Sequence, residues 1–131
     1  MLKVLPIQSK LTQEEICLRC NVKYDPDLLA YSATVDDELA GVCQFKLTDK
    51  GGMVYDLAPV KDGFDFEAMF VLGRGTLNFI DLCGVHYAFY KGSVDDEQTE
   101  RLIKAVGFKK TEEGSYEVDL EGFFTDHCHK D

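Results

Sequence analysis

Two glycines place the strongest constraint on how this chain can fold. Gly84 and Gly107 each end a stretch with helical periodicity, and each is followed at once by an apolar residue, Val85 or Phe108. A glycine just past the last helical turn, with an apolar residue after it, is a common way for a helix to stop. A run rich in strand formers follows both glycines. The second half of the chain is therefore predicted to alternate helix, strand, helix and strand.

The starts of these two helices are predicted from their capping residues. The longer helix is predicted over residues 66–83, because its apolar residues recur with a helical period, and Asp65 is its N-cap. The second helix is predicted to begin after Ser93, which can cap it. Acidic residues fill the first turn of the second helix, where negative charge complements the helix dipole.

The first half of the chain is predicted to contain a strand, a helix and three antiparallel strands in a row. Thr12 is the predicted N-cap of the helix, with Glu15 reaching back to it. Asp36-Asp37-Glu38 is a tight turn between two runs of strand formers. The predicted strands of the whole chain are 2–7, 28–35, 39–47, 53–59, 85–90 and a final hairpin within 108–124.

The order of the predicted elements is strand, helix, three strands, helix, strand, helix, strand and strand. A right-handed crossover through the 66–83 helix makes the 53–59 and 85–90 strands parallel. We therefore predict an α/β (α+β) fold: a mixed, mostly antiparallel sheet with helices on both faces. Residues 1–131 are predicted to form a single domain, with a polar tail from about residue 125.

Composition excludes several classes of protein. No stretch has the ~18 consecutive apolar residues that a membrane span needs. Residues 1–11 lack the pattern of a signal peptide, so we expect a cytoplasmic location and no membrane partner. The formal net charge is −10, from 24 acidic and 14 basic residues, and no basic patch is present. Since nucleic-acid backbones are bound by lysine and arginine clusters, no nucleic-acid partner is expected.

The cysteines predict free thiols and no metal site. They number five, which leaves no closed set of disulfides, and their spacing is irregular. Cys17 and Cys20 lie one helical turn apart on an apolar stripe, as buried structural cysteines often do. A zinc site formed by these two thiolates and the His-containing segment 126–129 is the alternative.

At this point the chain resembles the GNAT N-acetyltransferase superfamily. The order of elements agrees over nearly the whole chain, and Val106-Gly107-Phe108 is similar to the Leu-Gly-Phe-like turn before the family's last strands. Leu57-Ala58-Pro59 resembles the V-x-P end of the family's fourth strand. One element differs, because residues 21–27 are too few for the second helix that family members usually have.

The resemblance implies that acetyl-CoA or another acyl-CoA is the co-substrate. In the family it enters a gap between the fourth and fifth strands, and its pyrophosphate lies on a loop that usually reads Q/R-x-x-G-x-G/A. The corresponding loop here has one glycine and one cation and is net acidic. The "GRG" at 73–75 looks like a displaced copy of this motif, but it lies inside a predicted helix, where small residues permit close packing. The implied cofactor-binding residues are Leu57, Ala58, Val60, Lys61, Asp62, Gly63 and Phe64.

The resemblance also implies two candidate catalytic residues. A carboxylate in the fourth strand often serves, through water, as the base for the acceptor amine, and Asp56 is the only acid within that strand. Ile103 stands where the family often has a tyrosine that protonates the departing thiolate, and Tyr90 is the candidate replacement. The alternatives are a solvated strand residue for Asp56 and an aromatic plug of the gap for Tyr90.

Two functions follow from these residues. The first is an acyl-CoA-dependent N-acyltransferase that transfers an acetyl or other acyl group to a small-molecule or peptide amine by direct attack. The second is a binding or regulatory module that keeps the fold without turnover. The degenerate loop and the missing tyrosine favour the second function, and the extent of the resemblance favours the first. The acceptor amine stays open, as does the oligomeric state, with a homodimer as one alternative.

Overall fold

The computed structural model describes residues 1–124, so Cys128 and the candidate metal ligands at 126–129 lie outside the described residues. None of the helices described within this range is both long and apolar enough to cross a membrane. The elements are β1 (Leu2–Pro6), α1 (Lys10–Arg19), β2 (Leu29–Val35), β3 (Glu38–Thr48), β4 (Gly51–Val54), β5 (Ala58–Pro59), α2 (Phe66–Leu82), β6 (Tyr87–Tyr90), α3 (Glu97–Val106), β7 (Lys109–Lys110) and β8 (Tyr116–Asp119).

The strands form one mixed sheet in the order β1-β2-β3-β4-β6-β8-β7, and β5 pairs with β3 beyond the end of β4. β4 and β6 are parallel, with Gly52 opposite Ala88 and Val54 opposite Tyr90. The other strand pairs of the described chain are antiparallel. The predicted crossover through the long helix is therefore confirmed.

The helices cover both faces of the sheet, as predicted. Successive side chains of a strand point to opposite faces. Cys43 and Phe45 of β3 pack in the larger apolar cluster, which contains α2 and α3 side chains. Val42 packs in a second cluster with Cys20 and with Ile16 of α1. The sheet thus separates α1 from α2 and α3.

The predicted glycine stop of α2 is confirmed. Gly84 has a φ of +86°, in the left-handed region that favours glycine. The Val85 N–H donates to the Ile80 carbonyl and the Gly84 N–H to the Asp81 carbonyl, which is the Schellman pattern. Gly107 follows α3 with a φ of +135°. Asp65 is the N-cap of α2, also as predicted, and accepts a hydrogen bond from the Ala68 N–H.

Two predicted N-caps are wrong. Ser9, not Thr12, caps α1, and its hydroxyl accepts a hydrogen bond from the Thr12 N–H. Asp96, not Ser93, caps α3 and accepts from the Thr99 N–H. In both cases another capping residue lies three positions away. Local preference therefore did not distinguish between the candidates.

The predicted strand 53–59 is also wrong, because it divides into β4 and β5. Residues 55–57 leave the regular ladder between them. The Gln44 N–H donates to Oδ1 of Asp56 at 2.9 Å, so a side-chain carboxylate replaces a backbone carbonyl at this point of the β3 edge. Pairing with β3 resumes where Ala58 lies opposite Val42. The final hairpin is shorter than predicted, with two residues in β7 and four in β8.

The two glycines within α2 provide a test of how closely the helices pack. A Cβ on Gly73 would lie 2.7 Å from Cγ2 of Val106, whereas one on Gly75 would meet Cγ1 of Val4 at 3.4 Å. We expect Gly73→Ala to lower the free energy of unfolding by about 1 kcal/mol. Its overpacking cost of roughly 1–3 kcal/mol exceeds the roughly 0.5–1 kcal/mol that alanine contributes within a helix.

The matched control is Gly75→Ala, which should raise the free energy of unfolding by up to about 1 kcal/mol. Urea denaturation followed by circular dichroism measures both variants. Changes of the same sign and size in the two would contradict the close contact at Gly73.

Candidate active site

A cavity of about 480 Å³ lies where β4 and β6 part. The last register pair of the two strands is Val54 opposite Tyr90, and the Lys91 N–H donates to the Val54 carbonyl just beyond it. The lining residues come from the 21–28 loop, from β3, from the 55–59 segment and from the 90–99 segment: Asn21, Val22, Lys23, Asp25, Leu28, Gln44, Tyr55, Asp56, Leu57, Ala58, Pro59, Tyr90, Gly92, Ser93 and Thr99. The structure therefore brings both predicted catalytic residues to one cavity.

Asp56 is held at this cavity by one partner. Its Oδ1 accepts the Gln44 N–H at 2.9 Å, and its Oδ2 accepts a hydrogen bond from Gln44 Nε2 at 2.7 Å. Burial raises the pKa of Asp56 from 3.8 to about 6, although the two hydrogen bonds from Gln44 lower it and partly oppose this rise. The carboxyl group is thus ionised at neutral pH and can take up a proton just below it.

Tyr90 lies on the β6 side of the same cavity. Its ring is buried, and the ring centroid lies 5.8 Å from that of Phe108. A Cβ on Gly92 would lie 2.5 Å from the Tyr90 hydroxyl, so glycine is required where the chain passes the phenol. Burial first, and then the neighbouring Cys43 and Asp56, raise the pKa of Tyr90, so the phenol is protonated at neutral pH. It is therefore a hydrogen-bond donor facing the cavity.

Ile103 supplies no such donor. Its side chain is fully buried in the larger apolar cluster. Tyr90 is the buried tyrosine that lines the cavity. It is thus the candidate to replace the tyrosine that family members often have at the position of Ile103.

The predicted cofactor-binding residues divide into two groups. Leu57 and Ala58 line the cavity. The backbone beyond them is engaged within the protein: the Val60, Lys61 and Gly63 N–H groups donate to the carbonyls of Ala40, Arg19 and Val60 at 2.8, 2.8 and 3.0 Å. The side chains of Lys61, Asp62 and Phe64 are exposed. Several of the backbone donors that an anion would need in this loop are therefore already used.

The N-termini of α2 and α3 are occupied by carboxylates. Asp65 caps α2, and Glu67 lies in the first turn. Asp96 caps α3, whose Thr99 lines the cavity, and further acidic side chains lie in the first turn of α3. Positive helix ends are natural anion sites, but here each already carries negative charge.

The described cysteines are free thiols. Burial raises the pKa of Cys17 to about 11 and that of Cys20 to about 12, so both are protonated at neutral pH. Among residues 1–124, no group of three or more His, Cys, Asp or Glu side chains is placed to hold a metal ion. Cys128 and its neighbours lie outside the described residues.

Sequence reasoning missed two site residues, Gln44 and Gln13. Both are glutamines with almost fully buried side chains, and Gln13 Nε2 donates to Gln44 Oε1 at 2.9 Å. The signal was present in the sequence, because Gln44 interrupts the apolar run of β3 at residues 39–47. A polar residue inside a buried strand needs a hydrogen-bond partner, and this requirement points to a network.

Comparisons with solved structures show the fold. The chain is similar to an alanine N-acetyltransferase of a ribosomal protein from Escherichia coli, with a TM-score of 0.69 and 11% identity over 92% of this chain and 94% of that one. It is also similar to a spermidine N-acetyltransferase from Vibrio cholerae, with a TM-score of 0.74 and 9% identity over 96% of this chain and 98% of that one. No protein-family model matches, and no curated protein matches.

A third solved structure is a Bacillus subtilis acetyltransferase in complex with coenzyme A. It has a TM-score of 0.64 and 17% identity over 83% of this chain and 77% of that one. The chain therefore has the GNAT fold, and the resemblance inferred from the order of its elements is confirmed at the level of architecture.

The environment of Asp56 leads to a direct test. We expect its carboxyl carbon to titrate with a midpoint near pH 6, because burial disfavours the ionised form. Carbon-13 NMR of the free protein measures this midpoint, and Asp56→Asn identifies the resonance. A midpoint near the ordinary value of 3.8 would mean that the side chain is solvated, which is the alternative interpretation of this residue.

Proposed function

We propose that this protein is an acyl-CoA-dependent N-acyltransferase that transfers an acetyl or other acyl group to an amine. The observation that carries the proposal is the placement of a carboxyl group of raised pKa and a protonated phenol, Asp56 and Tyr90, in one cavity at the parting of β4 and β6. The GNAT fold supports it, since the similar structures include acetyltransferases, some of them in complex with coenzyme A.

The acceptor is proposed to be a small-molecule or peptide amine. Among the similar structures, one acts on spermidine and one on an alanine of a ribosomal protein. Asp25 and Asp56 line the cavity together with a single cation, Lys23. A protonated amine is attracted by this excess of negative charge before it gives up its proton.

The side chains have complementary roles in the proposed reaction. The co-substrate supplies the acyl group as a thioester. Asp56 accepts a proton from the ammonium form of the amine through water, so that a neutral nitrogen with a free electron pair can form the new bond to the acyl carbon. The nitrogen then loses a second proton to solvent as the bond between that carbon and the thioester sulfur breaks. Tyr90 donates a hydrogen bond to the sulfur as its bond to that carbon breaks. The pKa of an ordinary phenol already lies above that of a thiol, which is ~8.5, and burial raises the pKa of Tyr90 further. The phenol therefore keeps its proton, and solvent protonates the thiolate.

The proposed acyl-CoA site fits the pantetheine arm of coenzyme A better than the pyrophosphate. Leu57 and Ala58 border the gap between β4 and β6, where the pantetheine arm is proposed to lie. The pyrophosphate is proposed to lie near Lys61, Asp62 and Gly63, where backbone donors are already used and the charge is net negative. We therefore propose binding that relies on the arm rather than on the phosphates.

The catalytic residues are tested by two conservative variants. We expect Asp56→Asn to lower kcat/KM by roughly 10²–10⁴-fold, the usual contribution of a positioned acid or base. Tyr90→Phe should lower kcat, since it removes the donor to the departing sulfur. Activity should also fall as the pH drops through about 6, where Asp56 becomes protonated. Thiol release with a panel of polyamines, amino acids and peptide N-termini measures these effects.

Tyr87→Phe is the matched control for the phenol. The Tyr87 hydroxyl donates to Glu117 of the neighbouring strand β8 at an exposed position outside the cavity. Its removal should leave kcat unchanged. An equal loss in the Tyr87 and Tyr90 variants would show that the phenol in the cavity has no special role.

The phosphate position is tested by charge reversal. We expect Lys61→Glu to weaken coenzyme A binding by about two- to fivefold, the effect of one exposed charge of about 0.5–1 kcal/mol. Lys50→Glu, in the turn between β3 and β4, is the control and should have no effect. Isothermal titration calorimetry measures both. Tight binding that is indifferent to Lys61 would place the phosphates elsewhere.

The alternative function is a binding or regulatory module without turnover. One observation favours it: the internal hydrogen bonds of the Lys61 and Gly63 N–H groups leave the loop poorly prepared for an anion. Absence of both coenzyme A binding and turnover would select this alternative.

A further inference from the structure

We propose that Gln44 is a positioning residue that orients the Asp56 carboxylate and couples it to the 21–28 loop, with Gln13 holding the Gln44 amide in place. The inference rests on the proposed function, in which Asp56 is the base. The coupling itself is a structural arrangement that can be measured without turnover.

The first argument is burial. Gln44 is 1% exposed and Gln13 is 0% exposed. Placing an amide in an apolar interior costs free energy unless its donors and acceptors are all paired. An apolar side chain of similar size would fill the same space without this requirement. Two adjacent buried glutamines therefore call for an explanation in terms of what they bind.

The second argument is that Gln44 has every amide position paired. Nε2 donates to the Lys23 carbonyl at 2.9 Å and to Asp56 Oδ2 at 2.7 Å. Oε1 accepts from Gln13 Nε2 at 2.9 Å and receives a longer contact from the Asp25 N–H at 3.5 Å. One side chain thus joins α1, the 21–28 loop and the candidate base.

The third argument is that only one orientation of the amide is possible. The Lys23 carbonyl and the Asp56 carboxylate can only accept hydrogen bonds, so the NH₂ group must face them. Gln13 enforces this orientation, because its own NH₂ group donates to Gln44 Oε1 and to the Leu28 carbonyl. Gln13 Oε1 in turn accepts from Lys10 Nζ at 3.2 Å. The Gln44 NH₂ group is therefore kept pointed at the base.

The consequence for Asp56 is electrostatic. Both of its oxygens receive N–H groups of Gln44, which favours the ionised carboxylate against the effect of burial. Other titratable or charged groups near Asp56 or along the cavity come from α1 and the turn after it, β3, the 55–57 segment, β6 and the 21–28 loop: Cys17, Cys20, Cys43, Tyr55, Tyr90, Lys23 and Asp25. The three thiols and the Tyr90 phenol have raised pKa values and stay neutral near pH 6–7.

The consequence for the loop is geometric. Lys23 and Asp25 line the cavity and are held through the same amide that holds Asp56. Any rotation of the Gln44 amide would release the loop and withdraw a donor from the base together. The position of the loop and the proton affinity of the base are thus linked through one side chain.

The experiment is an NMR titration of Asp56 in the free protein. We expect Gln44→Leu to move its midpoint upward by roughly 1–2 pH units, the size expected for losing one hydrogen bond to an ionised carboxylate. Gln13→Leu should move the midpoint in the same direction by less, because the Gln44 amide remains but is no longer locked. This second variant also keeps the inference testable if Gln44→Leu does not fold.

Thr76→Val is the matched control. Thr76 is another buried polar residue, and its hydroxyl donates to the Leu72 carbonyl within α2. The Thr76 side chain also contacts the Cys43 thiol, which stays neutral in this pH range. The variant should therefore change the stability of the protein and leave the Asp56 midpoint where it is. A midpoint unmoved in folded Gln44→Leu and Gln13→Leu proteins would overturn the inference, as would an equal shift in Thr76→Val.

Kinetics separate this inference from the proposed function. With a turned-over amine, the acid limb of the kcat/KM profile in Gln44→Leu should move upward with the NMR midpoint, which a purely structural role would not produce. An acid limb that stays in place while the midpoint moves would overturn the role of Gln44 in catalysis. If the wild-type chain turns over no amine, the proposed function fails, and the NMR midpoints still decide whether Gln44 controls Asp56.

Discussion

The pair of hydrogen bonds from Gln44 to Asp56 is the interaction on which the rest of the site depends. A carboxylate oxygen takes the place of a backbone carbonyl at the edge of β3, so β4 ends at Val54 and the chain resumes pairing only at Ala58. β4 therefore parts from β6 after Tyr90, and the cavity occupies the resulting space. The same contact that interrupts the sheet also places the candidate base on the wall of the cavity.

Polar groups buried in this region act as a single network. Each amide group of Gln44 and Gln13 has a hydrogen-bond partner, and a fully paired network of this kind restricts the motion of its side chains. Removal of one partner would leave a buried polar group unpaired, which costs free energy. The network extends from α1 through β3 to the 55–57 segment. It thus connects the helix on one face of the sheet with the candidate base beside the cavity.

The GNAT fold and the loop at residues 60–64 differ in how well they suit an acyl-CoA. The architecture agrees over most of the chain. In the loop after β5, however, backbone donors are bonded within the protein, and the N-termini of α2 and α3 are capped by Asp65 and Asp96. A fold preserves the space for a ligand through packing, whereas affinity for an anion depends on a few unpaired donors and local charges. The two properties can therefore diverge within one chain.

The sequence by itself determined the elements whose signals are local. Gly84 and Gly107 ended their helices as predicted, because a glycine can adopt a positive φ without strain, and the helical spacing of apolar residues then implied the parallel pair of strands. The choice between neighbouring capping residues, as between Ser9 and Thr12, was not settled by local preference. The division of the 53–59 strand and the roles of Gln13 and Gln44 were decided only in the tertiary structure. Each of these depends on a partner distant in the chain, such as Gln44 for Asp56, and hydrogen bonds of this kind form only once the elements have packed together.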